Sequence, residues 1–124
     1  MSIATVGIDL GKNTIHAVGL DERGKPVMRR QFTRTSLIRY LARLPATDVA
    51  MEACAGAHYV ARKAQALGHT PHILPARYVQ AYVKNQKHDF ADAEAIAEAG
   101  TRPTMREVAI KSGDQQELQL LHRL

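Results

Sequence analysis

The chain is short of four things. It has one cysteine in 124 residues, so it forms no internal disulfide, and neither that cysteine nor the six histidines fall at a zinc-binding spacing. No apolar run approaches the roughly 18 to 20 residues that cross a bilayer. The amino terminus also lacks the charged segment and long apolar stretch of a secretion signal. These absences make a cytoplasmic location the default expectation. Acid is scarce too: 12 Asp and Glu stand against 17 Lys and Arg, giving a net charge of +5 and a pI near 9.7. Such a surface suits nucleic acid as a partner, although many basic proteins gain only solubility from it. There is no internal repeat or low-complexity tract. With 45% apolar residues in 13.7 kDa, the chain is large enough for one globular domain with a single core.

Scarcity makes the placing of the acids informative. Asp9 sits in Thr5-Val6-Gly7-Ile8-Asp9-Leu10-Gly11-Lys12, where Val6, Ile8 and Leu10 alternate with Thr5, Gly7 and Asp9 at the period of a strand. Asp9 therefore faces away from the apolar set. Glu52 closes a second apolar run, Val49-Ala50-Met51, at the strand end where open α/β sheets place ligands. Asp89 and Asp92 stand three apart at the start of an alanine-rich helix that ends at Gly100, a spacing that predicts one shared helical face. Taken singly, Asp9 and Glu52 also suit polar strand ends, and the aspartate pair suits a helix N-terminus favoured by the dipole. The ordered set is far more specific than any member.

Around these acids the pattern predicts a mixed α/β layer structure. Strands over Thr14–Leu20 and Val27–Thr33, joined by Asp21–Pro26, extend the first strand into an antiparallel meander. Leu37, Ile38, Leu41 and Leu44 form one helical face stopped by Pro45, leaving Arg34, Arg39 and Arg43 for solvent. A helix over about Ala57–Leu67, a Gly68 cap, a strand over Thr70–Leu74 and a helix from Pro75 to about Lys84 follow. Alternation after Val49 implies parallel pairing, hence a mixed sheet. Residues 101–113 read as a connector. Asp114 and Glu117 suggest a capping box for a last helix whose stripe of Leu118, Leu121 and Leu124 runs to the chain end. Tyr78 and Tyr82 fit core packing better than base stacking. Cys54 is expected to be a small buried side chain.

In Gly7–Lys12, Met51-Glu52-Ala53-Cys54-Ala55-Gly56-Ala57-His58, Leu67-Gly68-His69, Tyr78–Lys84, Asp89–Ile96 and Thr101–Arg106, the sequence resembles the amino-terminal RuvC-like domain of the DEDD transposases of bacterial insertion sequences, a family associated with bridge-RNA-guided recombination. The likeness runs nearly end to end. It departs at His88, where a small polar residue is expected, and at Ala97, where a Cys is expected. The resemblance implies an RNase H-like fold over residues 1–100. It also implies that Asp9, Glu52, Asp89 and Asp92 are catalytic ligands for Mg²⁺ or Mn²⁺, and that DNA and a guide RNA are partners. A homo-oligomeric full-length protein follows as well, with residues 114–124 opening a coiled coil towards a second domain that bears a serine nucleophile. None of Ser2, Ser36 or Ser112 matches that serine's motif, so this stretch alone is expected to be inactive in recombination.

Four carboxylate oxygen donors suit hard divalent ions, which can serve an in-line displacement at phosphorus. Lys12, Arg77, Lys84 and Lys87 flank the acids in sequence and are candidate phosphate contacts. Two other classes stay open at this point. The Gly7–Thr14 stretch also looks like the first phosphate motif of actin-like ATPases and sugar kinases, and the domain could be a noncatalytic nucleic-acid-binding module.

Overall fold

The structure, a computed structural model, describes residues 2–84 and 88–122, with side chains through Glu117. Lys87 and the side chains of Leu118, Leu121 and Leu124 lie outside the described residues. Three strands form the meander: β1 (Thr5–Leu10), β2 (Ile15–Leu20) and β3 (Pro26–Phe32). After α1 (Arg34–Arg43) come β4 (Asp48–Glu52), α2 (Ala55–Ala66) and β5 (Thr70–Leu74), then α3 (Ala76–Gln80), α4 (Ala91–Gly100) and α5 (Gly113–His122). The sheet order is β3-β2-β1-β4-β5, with β1, β2 and β3 antiparallel in turn, and β4 and β5 parallel to β1. This is the mixed sheet of an RNase H-like fold.

Strand alternation divides the sheet's two faces. Val6 and Ile8 of β1 and Val49 and Met51 of β4 are fully buried with Leu37 and Leu41 of α1 and Val60 and Ala61 of α2. On the other face Ala50, Leu74 and Val79 pack with Ala95, Ile96 and Ala99 of α4, while Val18 and Leu20 meet Ala93 and Ala97. Gly7 explains how closely α4 lies on the sheet. A Cβ there would stand 2.3 Å from the Ala93 carbonyl oxygen and 2.7 Å from the Ala97 Cβ. At the other end of the helix, a Cβ on Gly100 would come within 2.6 Å of the Ala50 Cβ. Small residues thus bring the α4 backbone down onto β1 and β4.

Several local expectations need correction. The third helix stops at Gln80 rather than near Lys84, because Tyr82 and Val83 donate to the carbonyls of Val79 and Gln80 in i→i−3 turns and the Tyr82 ring packs against the Leu74 and Val79 cluster. Asp89 precedes α4 in a turn, so it does not share a helical face with Asp92. The reciprocal cap of α5 is Ser112 with Gln115: the Gln115 N–H donates to Ser112 Oγ at 3.1 Å, and the Ser112 N–H donates to Gln115 Oε1 at 2.9 Å. Asp114 and Glu117 do not form it. Cys54 is exposed, since it is the N-cap residue of α2, with extended backbone outside the helix.

The stretch read as a connector is a strap. Val108 bridges Ile73 at the β5 edge, donating its N–H to the Ile73 carbonyl at 2.7 Å, and Val108 and Ile110 pack on the α1/α2 core. The Lys111 N–H donates to His58 Nδ1 at 3.0 Å, and Arg62 of α2 donates to the Lys111 carbonyl and to Gln116 Oε1. His72 of β5 is held between Asp48 at 2.8 Å and Glu107 of the strap at 2.7 Å. Burial alone would lower the His72 pKa, but hydrogen bonds to the two carboxylates raise it above the usual histidine range.

Candidate carboxylate site

Asp9 and Glu52 leave the sheet side by side. The parallel register pairs Ile8 with Met51, so the next residue of each strand is an acid on the face that carries α4. The first turn of α4 adds Asp92 from above, because Ala93 rests on Gly7, two residues before Asp9. Burial raises the Asp9 pKa, the Asp92 charge raises it further, and His16 works against both. The Glu52 pKa is likewise raised by burial first, then by Asp9 and Asp92. The Asp92 charge thus reaches both Asp9 and Glu52, and the Asp9 charge reaches Glu52, at the carboxyl end of β1.

Asp89 stands apart. It is exposed in the turn before α4 and is not among the charges acting on Asp9 or Glu52. Among the described residues no group of three or more His, Cys, Asp or Glu side chains is arranged to hold a metal ion. The acids are neighbours that have not closed on a common centre. Their chemistry nevertheless fits a hard divalent cation: the donors are all carboxylate oxygens, and a bound cation would offset both the burial and the repulsion that raise the Asp9 and Glu52 pKa values.

The turn that carries Asp89 is organised by two rings. His88 Nδ1 accepts the Phe90 N–H at 3.2 Å, and the His88 carbonyl accepts the Ala91 N–H, a local account of the histidine at that position. The Phe90 ring meets His16 edge-on at 5.1 Å between centroids. His16 is the cross-strand partner of Asp9. Sequence reasoning passed over His16, although counting back through a hairpin with its bend at Gly11–Thr14 would have paired the two.

The candidate cations have different surroundings. Lys84 is bound at 3.0 Å to both Glu94 and Glu98 of α4, and these hydrogen bonds raise its pKa. Glu94 also meets Arg29 at 3.4 Å. Its burial would raise its pKa, yet Lys84 and then Arg29 leave it lowered. This buried acid went unnoticed in the sequence because nothing in an alanine-rich helix marks which glutamate turns inward. The Arg77 guanidinium lies 4.9 Å from the Tyr78 ring centroid. Lys12 is exposed in the loop after β1, beside a cleft of about 550 Å³ lined by Leu10, Asn13, Arg34, Cys54 and Gly56.

His58 and His69 serve the fold. His58 is buried against the strap, and burial, then Lys111 and Arg62, lower its pKa. His69 is buried, its Nδ1 accepting the Thr47 N–H at 3.2 Å and its Nε2 2.6 Å from the Leu41 carbonyl oxygen.

The sheet order and the two acids at the ends of neighbouring parallel strands define the class of RNase H-like domains. Within that class, residues 6–124 match the family of DEDD transposases of the IS110 type, described as "Transposase", and the chain belongs to that family. It is 43% identical over 123 residues to the transposase for insertion sequence element IS1328 of Yersinia enterocolitica, covering 99% of this chain and 37% of that protein. It is 44% identical over 124 residues to a probable family 20 transposase of Pseudomonas aeruginosa, covering 100% of this chain and 37% of the relative. The transposase for insertion sequence element IS1111A of Coxiella burnetii is 36% identical over 122 residues, covering 98% of this chain and 34% of that protein. The chain thus spans 37% or less of the length of these relatives. Family membership takes the place of the actin-like ATPase and sugar-kinase alternative. No helix among the described residues is long and apolar enough to cross a membrane.

Proposed function

We propose that the chain is the metal-binding catalytic portion of an enzyme that cleaves and exchanges DNA strands when an insertion sequence moves. In this reading Asp9, Glu52 and Asp92 hold Mg²⁺ or Mn²⁺, with Asp89 as the fourth acid of the set, brought in from its exposed turn. The ions would supply Lewis-acid activation of the attacking and leaving oxygens at phosphorus. The chain's own residues orient and desolvate: Gly7 lets α4 deliver Asp92, and His16 offsets negative charge at Asp9. The full-length protein would act as a homo-oligomer on DNA with a guide RNA, supplying its serine nucleophile from beyond residue 124.

The placing of Asp9 and Glu52 at neighbouring parallel strand ends, both within reach of the Asp92 charge, in a chain of this family, carries the reading. Calorimetric titration with Mn²⁺ tests it. Asp9→Asn and Asp92→Asn should each weaken binding by about tenfold or more, an order of magnitude per lost charge-assisted ligand. Isotherms unchanged in both variants would refute the ligand assignment.

A further inference from the structure

The basic residues near the acids fall into two groups that the structure treats differently. On the α4 side the charges are already answered: Lys84 and Arg29 are paired with Glu94 and Glu98. On the α1/α2 side, Lys12, Arg34 and Lys63 have no carboxylate within ion-pair distance among the described residues. Arg34 is also placed against the local field. It opens α1, where the helix dipole favours acids, and the first turn contains none. A cation kept at such a cost to local stability is a mark of a surface used for something else.

These residues are contiguous. Lys12 and Arg34 line the same cleft, which begins at Leu10, just after Asp9, and reaches Cys54 and Gly56, just after Glu52. The Arg34 guanidinium passes close to Gly56, where an added Cβ would sit 3.6 Å from it, and continues to the Tyr59 ring, 5.3 Å from the centroid. Lys63, the next turn along α2, lies 5.6 Å from the same centroid. Among the described residues, Tyr59 is one of the few large apolar side chains left open to solvent, at 36% exposure. A cationic track with an exposed aromatic ring among its charges suits unpaired nucleic acid, whose phosphates follow the track and whose bases stack.

We propose that a single strand of DNA runs from the carboxylates along the seam between α1 and α2, its phosphates on Lys12 and Arg34 and a base on Tyr59. A base stacking on the ring displaces a cation from it and frees that cation for the adjacent phosphate. The inference rests on the DNA-processing reading above and adds to it the side of the site on which the strand lies and the need for that strand to be unpaired.

Fluorescence anisotropy of a labelled oligothymidylate of about a dozen nucleotides, in EDTA at low salt, tests the path without metal. Tyr59→Ala should weaken binding about fivefold or more, Tyr59→Phe should retain it, and a duplex of equal length should be indifferent to either change. Lys12→Gln and Arg34→Gln should each reduce the slope of log affinity against log salt by about 0.7. Arg23→Gln, in the turn at the opposite end of the sheet, should match the parent. Circular dichroism verifies that each variant is folded, and Tyr59→Phe provides the ring-retaining comparison if Tyr59→Ala is not. Binding by Arg34→Gln and Tyr59→Ala within twofold of the parent would overturn the path, as would no binding by the parent. Tighter binding of oligouridylate would overturn the choice of DNA. Because Arg34→Gln should keep the parental Mn²⁺ isotherm while Asp9→Asn loses it, failure of the strand path and failure of the metal site are separable.

Discussion

Adding one methyl group at Gly7 tests how the acids are brought together. In Gly7→Ala the new Cβ would stand 2.3 Å from the Ala93 carbonyl oxygen, 2.5 Å from the Ala97 nitrogen and 2.7 Å from the Ala97 Cβ. Ordinary van der Waals contact begins near 3.4 Å, so the helix must lift by about 1 Å or the strand must bow. Overpacking of this kind costs about 1–3 kcal/mol, and the upper end is expected because two of the three clashing atoms are backbone. In a domain of this size that corresponds to a fall in Tm of roughly 5–15 °C. The fall should come with weaker Mn²⁺ binding, because lifting α4 separates Asp92 from Asp9 and Glu52. Ala97→Gly in the same chain should restore only part of the loss, since it removes the Cβ clash and leaves the Ala93 carbonyl in place. Gly113→Ala is the internal contrast: its Cβ meets nothing within 4 Å at the start of α5, and it should be neutral or stabilising by up to about 1 kcal/mol. Differential scanning fluorimetry reads all three variants. A Tm for Gly7→Ala within 2 °C of the parent would refute the argument that α4 is seated by the missing side chain.

Three further outcomes follow from other parts of the molecule. Because the folded pKa values of Asp9 and Glu52 are raised, ionisation opposes folding; the related stability is full below the ordinary carboxylate pKa and is lost as pH rises through the folded values. Asp9→Asn should therefore raise Tm in EDTA at neutral pH, with the gain vanishing towards acid; a gain that persisted at low pH would contradict the electrostatic cause. The His72 pKa is also raised, so its clasp on Asp48 and Glu107 is at full strength below the ordinary histidine pKa and loosens as pH rises through the folded value. The protection of the Val108 amide against hydrogen exchange, taken relative to the intrinsic base-catalysed rate, should fall over that rise in the parent, and His72→Gln should flatten the dependence. Finally, Ser112→Ala should cost about 1 kcal/mol through loss of the α5 cap, measured by urea denaturation, whereas Asp114→Ala should cost clearly less.

Much of this fold was legible because periodicity is local. The alternation around Asp9, the Gly68 cap with φ +93 and the Thr70–Leu74 strand all depend on neighbours in sequence, and the structure places them there. The convergence of Asp9 and Glu52 at one end of the sheet followed from reading both as strand-end acids in parallel strands. What escaped the reading depends on contacts between distant segments. Whether Asp89 is inside α4 is decided by a turn that His88 and Phe90 organise against His16. The inward turn of Glu94 is decided by which face of α4 meets Lys84 and Arg29. Residues 101–113 look like a linker from composition, and only the contacts with the β5 edge and with His58 and Arg62 of α2 make the stretch a strap.

The strap also decides how copies of this domain can meet. A sheet with open sides invites strand-to-strand association. Here one side is covered where Val108 bridges Ile73, and the other, β3, begins with a proline and exposes Arg29, Arg30 and Gln31 in succession. Like charges face one another when two such borders approach. Continuous β-pairing between copies of this domain is thus disfavoured at both margins.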